Sequence, residues 1–425
     1  MILSRRDLLL AGTALALGLP SCRRRTERPD VVLITLDTTR RDRLGCYGYS
    51  RPTSPNLDAL AERSVVFDRA VAASSWTLPS HASIFTGKLP SSHGADYHPE
   101  GPLRLTEAIE GPDEWAEYRA SGLRPGEATL ALLLRERGYR TAAVVGGPWM
   151  KRVFGLDRGF EIYDDEGIGD VNGRLASEVT ASALEILQRT ERPFFLFLNY
   201  FDPHGPYEAP SPFGGSFGAE PSDRYDEEIL YMDHHIGRLF EGMKREGVFD
   251  DSQILVTADH GELFGEHGKM GHGATLFEEE IHVPLLVKYP GDDVAPGRSP
   301  QPMHHVDVPS LVLEGAGFSR DRGWRPLVAE VSPLAFMSSE GSWRALYLGR
   351  HKLLWNSLGN HALYDLEKDP GEQDDLSRTD SERMKAAIGV IDRVFASLPA
   401  PGEPGPPATL DEETLKALRS LGYVP

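Results

Sequence analysis

Residues 30–37 read DVVLITLD. The run is short, continuous and rich in β-branched residues. It reads as a strand buried on both faces, ending in a carboxylate at Asp37. Four more runs have the same character: TAAVV at 141–145, PFFLFLNYF at 193–201, QILVTAD at 253–259 and VPLLVKY at 283–289. Helical patterns lie between several of them, at 127–137, 174–189 and 225–245. SPNLDALAER at 54–63 places Ser54 at an N-cap and Pro55 at the first helical position. Strands alternating with helices predict an α/β fold, with a large, mainly parallel (mixed) sheet flanked by helices. Loops rich in Gly, Pro and His follow Phe85, to about residue 126.

From about 320 to 395 the pattern changes. WRALYLGRHKLLWN and NHALYDLEKDP give short strands around turns, and a helix starts near 380. This predicts a small C-terminal antiparallel α+β subdomain. PAPGEPGPPA at 399–408 is a Pro/Gly linker, and LDEETLKALRSLG a terminal helix. The expected division is an export segment at 1–22, an α/β catalytic domain at 29–318, the subdomain at 319–398, and linker plus helix at 399–425.

The 425 residues carry a formal net charge of −19. That argues against a nucleic-acid or anionic-membrane surface. An anionic substrate must then be attracted locally, by a metal or a helix N-terminus. The leader MILSRRDLLLAGTALALGLPSC has Arg5 and Arg6 before an apolar run to Leu19. It resembles a twin-arginine export signal, and Leu19-Pro20-Ser21-Cys22 resembles a lipobox. The expectation is export to the periplasm or cell envelope, with Cys22 lipidated as the mature N-terminus. Membrane contact would then come through that anchor alone. Cys46 is the one other cysteine, so the exported chain has no internal disulfide.

Chemistry gathers at the strand ends. The first strand ends in Asp37-Thr38, the third runs into Asp202-Pro203-His204, and the fourth ends in Asp259-His260-Gly261-Glu262. In open α/β sheets ligands bind outside the carboxyl ends of the strands. Asp37, Asp259 and His260 offer two carboxylates and one imidazole, a set suited to one divalent ion: Zn²⁺, Mn²⁺ or Ca²⁺. GEHGKMGHG at 265–273 adds a Gly-His cluster. In SSWTLPSHASIFTG at 74–87, Pro79 marks a helix start with Thr77 at its mouth. A threonine there is either a cap or, against a metal, a nucleophile at an anion-binding helix N-terminus.

VVLITLDTTRRDRLGCYGY, PTSPNLDALAERSVVFDRAVA, WTLPSHASIFTG, TADHGELFGEHG, GHGATLFEEEIHVPLLVKYPG and ALYDLEKDPGE together resemble the sulfatase family of the alkaline phosphatase superfamily. The resemblance implies a central sheet between helices, a smaller C-terminal sheet, and one divalent metal held by Asp37, Asp259 and His260, with Thr77 expected as a further ligand. It implies that Thr77 is the nucleophile, at the first place of the family's Cys/Ser-x-Pro-Ser-Arg motif. It places His204 near the leaving group and His272 where many members have a substrate-binding lysine. The chain departs from the pattern at several points. Thr77 matches neither formylglycine precursor; His81 stands for the motif arginine and is expected near the substrate anion as a catalytic residue; Thr38 stands for a second aspartate; and only Lys151, expected to bind substrate, loosely replaces another lysine.

A formylglycine hydrate expels sulfate by collapsing to the aldehyde through its second hydroxyl, whereas Thr77 has one. Phosphothreonine can be cleaved by attack at phosphorus. The reading that follows is a metal-dependent hydrolase or transferase of phosphate or sulfate esters, with phosphoester chemistry favoured. Its substrate would be a small-molecule, glycan or lipid-headgroup anionic ester. The alternatives are an inactive sulfatase-fold binding protein at the cell envelope, or a sulfuric ester hydrolase without formylglycine.

Overall fold

The computed structural model describes residues 28–291, 293–318, 326–332 and 339–399. The export segment with Cys22, and residues 400–425 of the C-terminal linker and helix, lie outside these. The central sheet has eight strands: β1 (Val31–Leu36), β2 (Val65–Phe67), β3 (Arg140–Val145), β4 (Ile162–Asp164), β5 (Phe194–Tyr200), β6 (Gln253–Ala258), β7 (Leu285–Lys288) and β8 (Gly297–Ser299). Their order is β8-β2-β7-β6-β1-β5-β3-β4. β1 is central, parallel to β6 on one side and β5 on the other. Every residue of these three strands is buried, as continuous apolar runs under two helical layers require. Each large aliphatic side chain so buried contributes at most roughly 1.5–3 kcal/mol.

Register positions the chemistry. Leu36 pairs with Ala258 and with Tyr200, so the next residues, Asp37 and Asp259, emerge side by side at the sheet edge. β7 runs antiparallel to both neighbours, which makes the sheet mixed. The expected strand at 283–289 is divided by Pro284, which has no N–H to donate. His282–Val283 pairs with Ala70–Val71 in a separate small sheet, and only Leu285–Lys288 joins the central one. β2, β4 and β8 have three residues each, too short for a periodic signal. The loop region after Phe85 also holds a single-turn helix, Pro90–His93, and a sheet of three strands, Asp96–Tyr97, Leu103–Arg104 and Arg119–Ser121.

The helices of the main domain include α1 (Pro55–Ala61), α2 (Thr77–Thr86), α3 (Leu130–Glu136), α4 (Ala176–Arg189) and α5 (Pro221–Arg245). α5 starts four residues before the expected 225, with Pro221 in its first turn and Asp223 Oδ2 accepting from Glu220 N. α1 begins as predicted after Ser54, yet the Ser54 hydroxyl does not cap it. Asp233 of α5 does so from a distance, accepting from Asn56 N at 3.0 Å and Leu57 N at 2.8 Å.

The C-terminal subdomain is a four-stranded antiparallel sheet of β9 (Val328–Val331), β10 (Trp343–Leu348), β11 (His351–Asn356) and β12 (Ala362–Asp365), covered by α6 (Ser381–Ala396). Leu346, Leu353 and Leu363 pack against Val390, Ile391 and Val394. Lys352 of β11 is fully buried at the junction with the main domain, 3.0 Å from both Glu278 and Glu372. Lys352→Met would leave the buried Glu372 carboxylate without its cation, while Glu278 keeps His282 and Arg69. It is expected to cost about 3–5 kcal/mol in denaturant unfolding. A cost below about 1 kcal/mol would show that the Glu372 carboxylate can take up a proton without strain on the fold.

Candidate active site and metal centre

Asp37, Asp259 and His260 each offer a ligand atom within 4.8 Å of the other two, and all three are fully buried. Neither oxygen of Asp37 has a hydrogen-bond partner, nor has Asp259 Oδ2. Asp259 Oδ1 accepts from His260 N at 2.9 Å and Thr38 N at 3.2 Å. Burial drives both carboxyls above their ordinary values, and the Asp259 charge raises Asp37 further. Two adjacent buried carboxylates with orphaned oxygens need a cation, so the donor set fits a divalent ion.

His260 is arranged for the same task. Its Nδ1–H donates to Gly261 O at 3.0 Å, leaving the Nε2 lone pair free. Burial, with His272 adding to it, holds this imidazole well below its ordinary pKa, the neutral form a metal requires. Thr38 supports the corner at φ 48°, an uncommon conformation for a β-branched residue. Tyr225 of α5 pins it, donating to Thr38 O at 2.7 Å and accepting from Arg40 N at 2.8 Å.

Thr77 is the first helical residue of α2 and not its cap; Trp76 holds the cap position, and no side chain caps the helix. The Thr77 hydroxyl is therefore free for another partner, and Oγ1 lies 3.3 Å from His260 Nε2. His81, one turn on, is fully buried. It donates Nδ1–H to Thr77 O at 2.9 Å, and its Nε2 meets Thr35 Oγ1 at 2.9 Å. Burial lowers it to about 4, so it is neutral. It braces the first turn of α2 from beneath instead of offering a cation to an anion, as the motif position suggests. Ser80 does similar work, donating to Asp259 O at 2.6 Å and meeting His305 Nδ1 at 3.0 Å.

His204 and His272 face each other, with ring centres 5.1 Å apart. His272 is also 4.5 Å from the His260 ring. Burial opposes charge on His272, but the Glu262 carboxylate 3.0 Å away more than offsets it and raises the imidazole. Tyr207 donates to the other Glu262 oxygen at 3.1 Å. His204 stacks on Phe201 and donates Nδ1–H to Gly205 O at 2.9 Å. Burial, then the neighbouring His272, pulls it down to about 4. Its free Nε2 is thus an acceptor in the resting site. The Lys151 ammonium donates to Asp165 O at 3.0 Å, so it is committed away from the Asp37–Asp259–His260 cluster.

Glu262, Tyr207, Ser80 and His305 were not singled out from the sequence. Glu262 and Tyr207 follow His260 and His204 by two and three residues, a proximity that is the one available signal. His305 comes from a distant stretch and joins only through the fold.

The sulfatase family model matches residues 29–318. The choline-sulfatase of Rhizobium meliloti is 26% identical over 409 residues, covering 76% of this chain and 77% of that protein. The arylsulfatase of Clostridium perfringens is 23% identical, covering 87% and 94%. Among solved structures, the phosphonate monoester hydrolase of Agrobacterium radiobacter superposes with a TM-score of 0.66 at 19% identity, covering 87% of this chain and 95% of that one. Ps i-CgsB bound to k-i-k-neocarrahexaose gives 0.70 at 18% identity, covering 93% and 98%.

Proposed function

The chain belongs to the sulfatase family, and from that premise we propose that Thr77 is its nucleophile and that phosphoric rather than sulfuric esters are its substrates. One observation carries the reading: the Thr77 hydroxyl is released from capping and lies 3.3 Å from His260 Nε2, beside carboxylates with unpartnered oxygens. Asp37, Asp259, His260 and Thr77 would hold the divalent ion. Once bound, it supplies a Lewis acid that balances the carboxylates and acidifies the hydroxyl. Zn²⁺, Mn²⁺ and Ca²⁺ all suit the donor set.

Thr77 Oγ1 attacks phosphorus from the N-terminus of α2, where unpaired N–H groups and the helix dipole favour the anion. The Oγ1 proton passes to solvent, and the Oγ1–P bond forms as the ester P–O bond breaks. His272, paired with Glu262, presents positive charge to the ester oxygens. His204 Nε2 takes up a proton brought in by the ester monoanion and passes it to the leaving oxygen. Water then cleaves the Oγ1–P bond, its hydroxyl going to phosphorus and its proton restoring the Thr77 hydroxyl. Thr77 has no second hydroxyl through which to expel sulfate, which is why phosphorus is favoured. The fold shared with a phosphonate monoester hydrolase is consistent with that preference.

A panel of aryl phosphates, phosphodiesters, phosphonates and sulfates, each with Mn²⁺, Zn²⁺ or Ca²⁺, tests the reading. Phosphorus esters are expected to turn over fastest. Sulfates cleaved at least as fast would reject the assignment. Binding of the anions without any turnover would favour a binding protein of the envelope. His204→Gln is expected to slow esters of poor leaving groups most and nitrophenyl esters little; a uniform loss would mean that His204 only positions the substrate. Export and a lipid on Cys22 belong to the same proposal. Mass spectrometry of membrane-extracted protein should find the chain beginning at a modified Cys22, and an unmodified Cys22 would defeat the anchor.

A further inference from the structure

We propose that His267, Glu279 and Glu372 form a second divalent-metal site, of the Zn²⁺ class, that ties the C-terminal subdomain to the active-site loop. The three come from separate segments. His267 lies in the loop between Asp259-His260 and His272, Glu279 in the single helical turn Glu278–Ile281, and Glu372 in the segment after β12. One ligand atom of each lies within 4.8 Å of the other two. His267 Nε2 and Glu279 Oε2 are 3.3 Å apart. Donors on a tetrahedral zinc with bonds near 2.0–2.1 Å sit about 3.3–3.4 Å apart.

The side chains are held in place for this. The His267 ring stacks on Phe277, with centres 3.6 Å apart and planes 4° from parallel. Glu372 is 2% exposed, and its Oε2 accepts from Glu278 N at 2.6 Å. Its Oε1 is ion-paired with Lys352 Nζ at 3.0 Å. Lys352 is shared with Glu278, which His282 at 3.0 Å and Arg69 at 3.7 Å also face, while Glu279 pairs with His267 at 3.3 Å.

Backbone strain supports the same assignment. Three non-glycine residues have positive φ among the described residues: Thr38 at 48°, His267 at 55° and Glu372 at 53°. Such conformations cost of order 1–3 kcal/mol each and collect at ligand sites. Thr38 adjoins Asp37 of the first cluster; the other two are both in the second. A plain His267–Glu279 hydrogen bond would account for that pair alone; Lys352 accounts for the buried charge of Glu372 but not for its backbone conformation. One imidazole with two carboxylates suits zinc or manganese. It does not suit Ca²⁺, which takes six to eight oxygens, or Mg²⁺, which keeps its waters.

The test uses the full chain with the first centre silenced by Asp259→Asn, so that failure of the proposed catalytic reading leaves it untouched. After chelator treatment, the protein is reloaded with Zn²⁺ and the bound metal counted, with a thermal melt alongside. Asp259→Asn is expected to keep one equivalent and to melt higher with zinc. Adding His267→Gln, or separately Glu279→Gln, should weaken zinc binding at least about 100-fold and remove the thermal shift. Two positions are used so that one misfolded variant does not decide the result. The proposal is overturned if Asp259→Asn binds no zinc, or if the bound zinc survives both second substitutions.

Discussion

Thr77→Ala is expected to abolish turnover of every substrate the wild type cleaves, lowering kcat by at least about 10⁴-fold, the scale of removing a covalent nucleophile. The structure makes this a sharp expectation. Thr77 does not cap α2, since Trp76 stands at the cap position, so its hydroxyl has no local backbone role to lose. Circular dichroism and the melting temperature should stay close to wild type, and metal affinity should fall modestly, because one neutral donor is removed. Thr77→Ser should retain substantial turnover, since the attacking oxygen survives. Wild-type rates in Thr77→Ala would reduce Thr77 to a residue that merely lines the cluster.

Asp259→Asn carries the second large effect, with two parts of opposite sign. It removes an anionic donor while keeping the shape, so metal binding at this centre should weaken at least about 100-fold and turnover should be lost with it. In the metal-free protein the same change should stabilise the fold in denaturant unfolding above about pH 7, where the raised carboxyl would otherwise have to carry its charge in the buried site. It takes a charge out of a fully buried, mutually repelling pair. The amide oxygen introduced by the substitution can still accept from His260 N and Thr38 N, as the carboxylate does. A metal-free variant less stable than metal-free wild type would mean that the Asp37–Asp259 pair is stabilised by something other than a cation.

Much of this arrangement could be read from one chain because the fold does simple geometry with it. The strands that read as continuous apolar runs are covered and parallel to one another, except Leu285–Lys288, which runs antiparallel to both neighbours. Carboxylates just after them had to meet at one edge, and the Leu36–Ala258 register brings Asp37 and Asp259 there. The three-residue strands escaped notice because periodicity needs length, and Pro284 changed the partner of one predicted strand. At the site, the motif position of His81 suggested contact with an anion. Its complete burial and its bonds to Thr77 O and Thr35 make it a brace. Lys151 was suggested by a loose match, and the fold sends its ammonium to Asp165 O. Glu262 and Tyr207 matter because tertiary packing aims them at His272 and at each other. No spacing rule encodes that. Neither does any rule bring His267 to Glu372, more than a hundred residues later in the chain.

Thr77 as a covalent nucleophile is the claim on which the functional account turns, and acid quenching during turnover of an aryl phosphate tests it most directly. Peptide mass spectrometry of the quenched protein should find Thr77 as plain threonine before substrate is added. After substrate it should carry one phosphoryl group in a fraction of molecules. That fraction should rise in His204→Gln if water attack on the phosphothreonine also needs His204. Active enzyme whose Thr77 is already modified before substrate, or is never phosphorylated under turnover at any quench time, would contradict the mechanism.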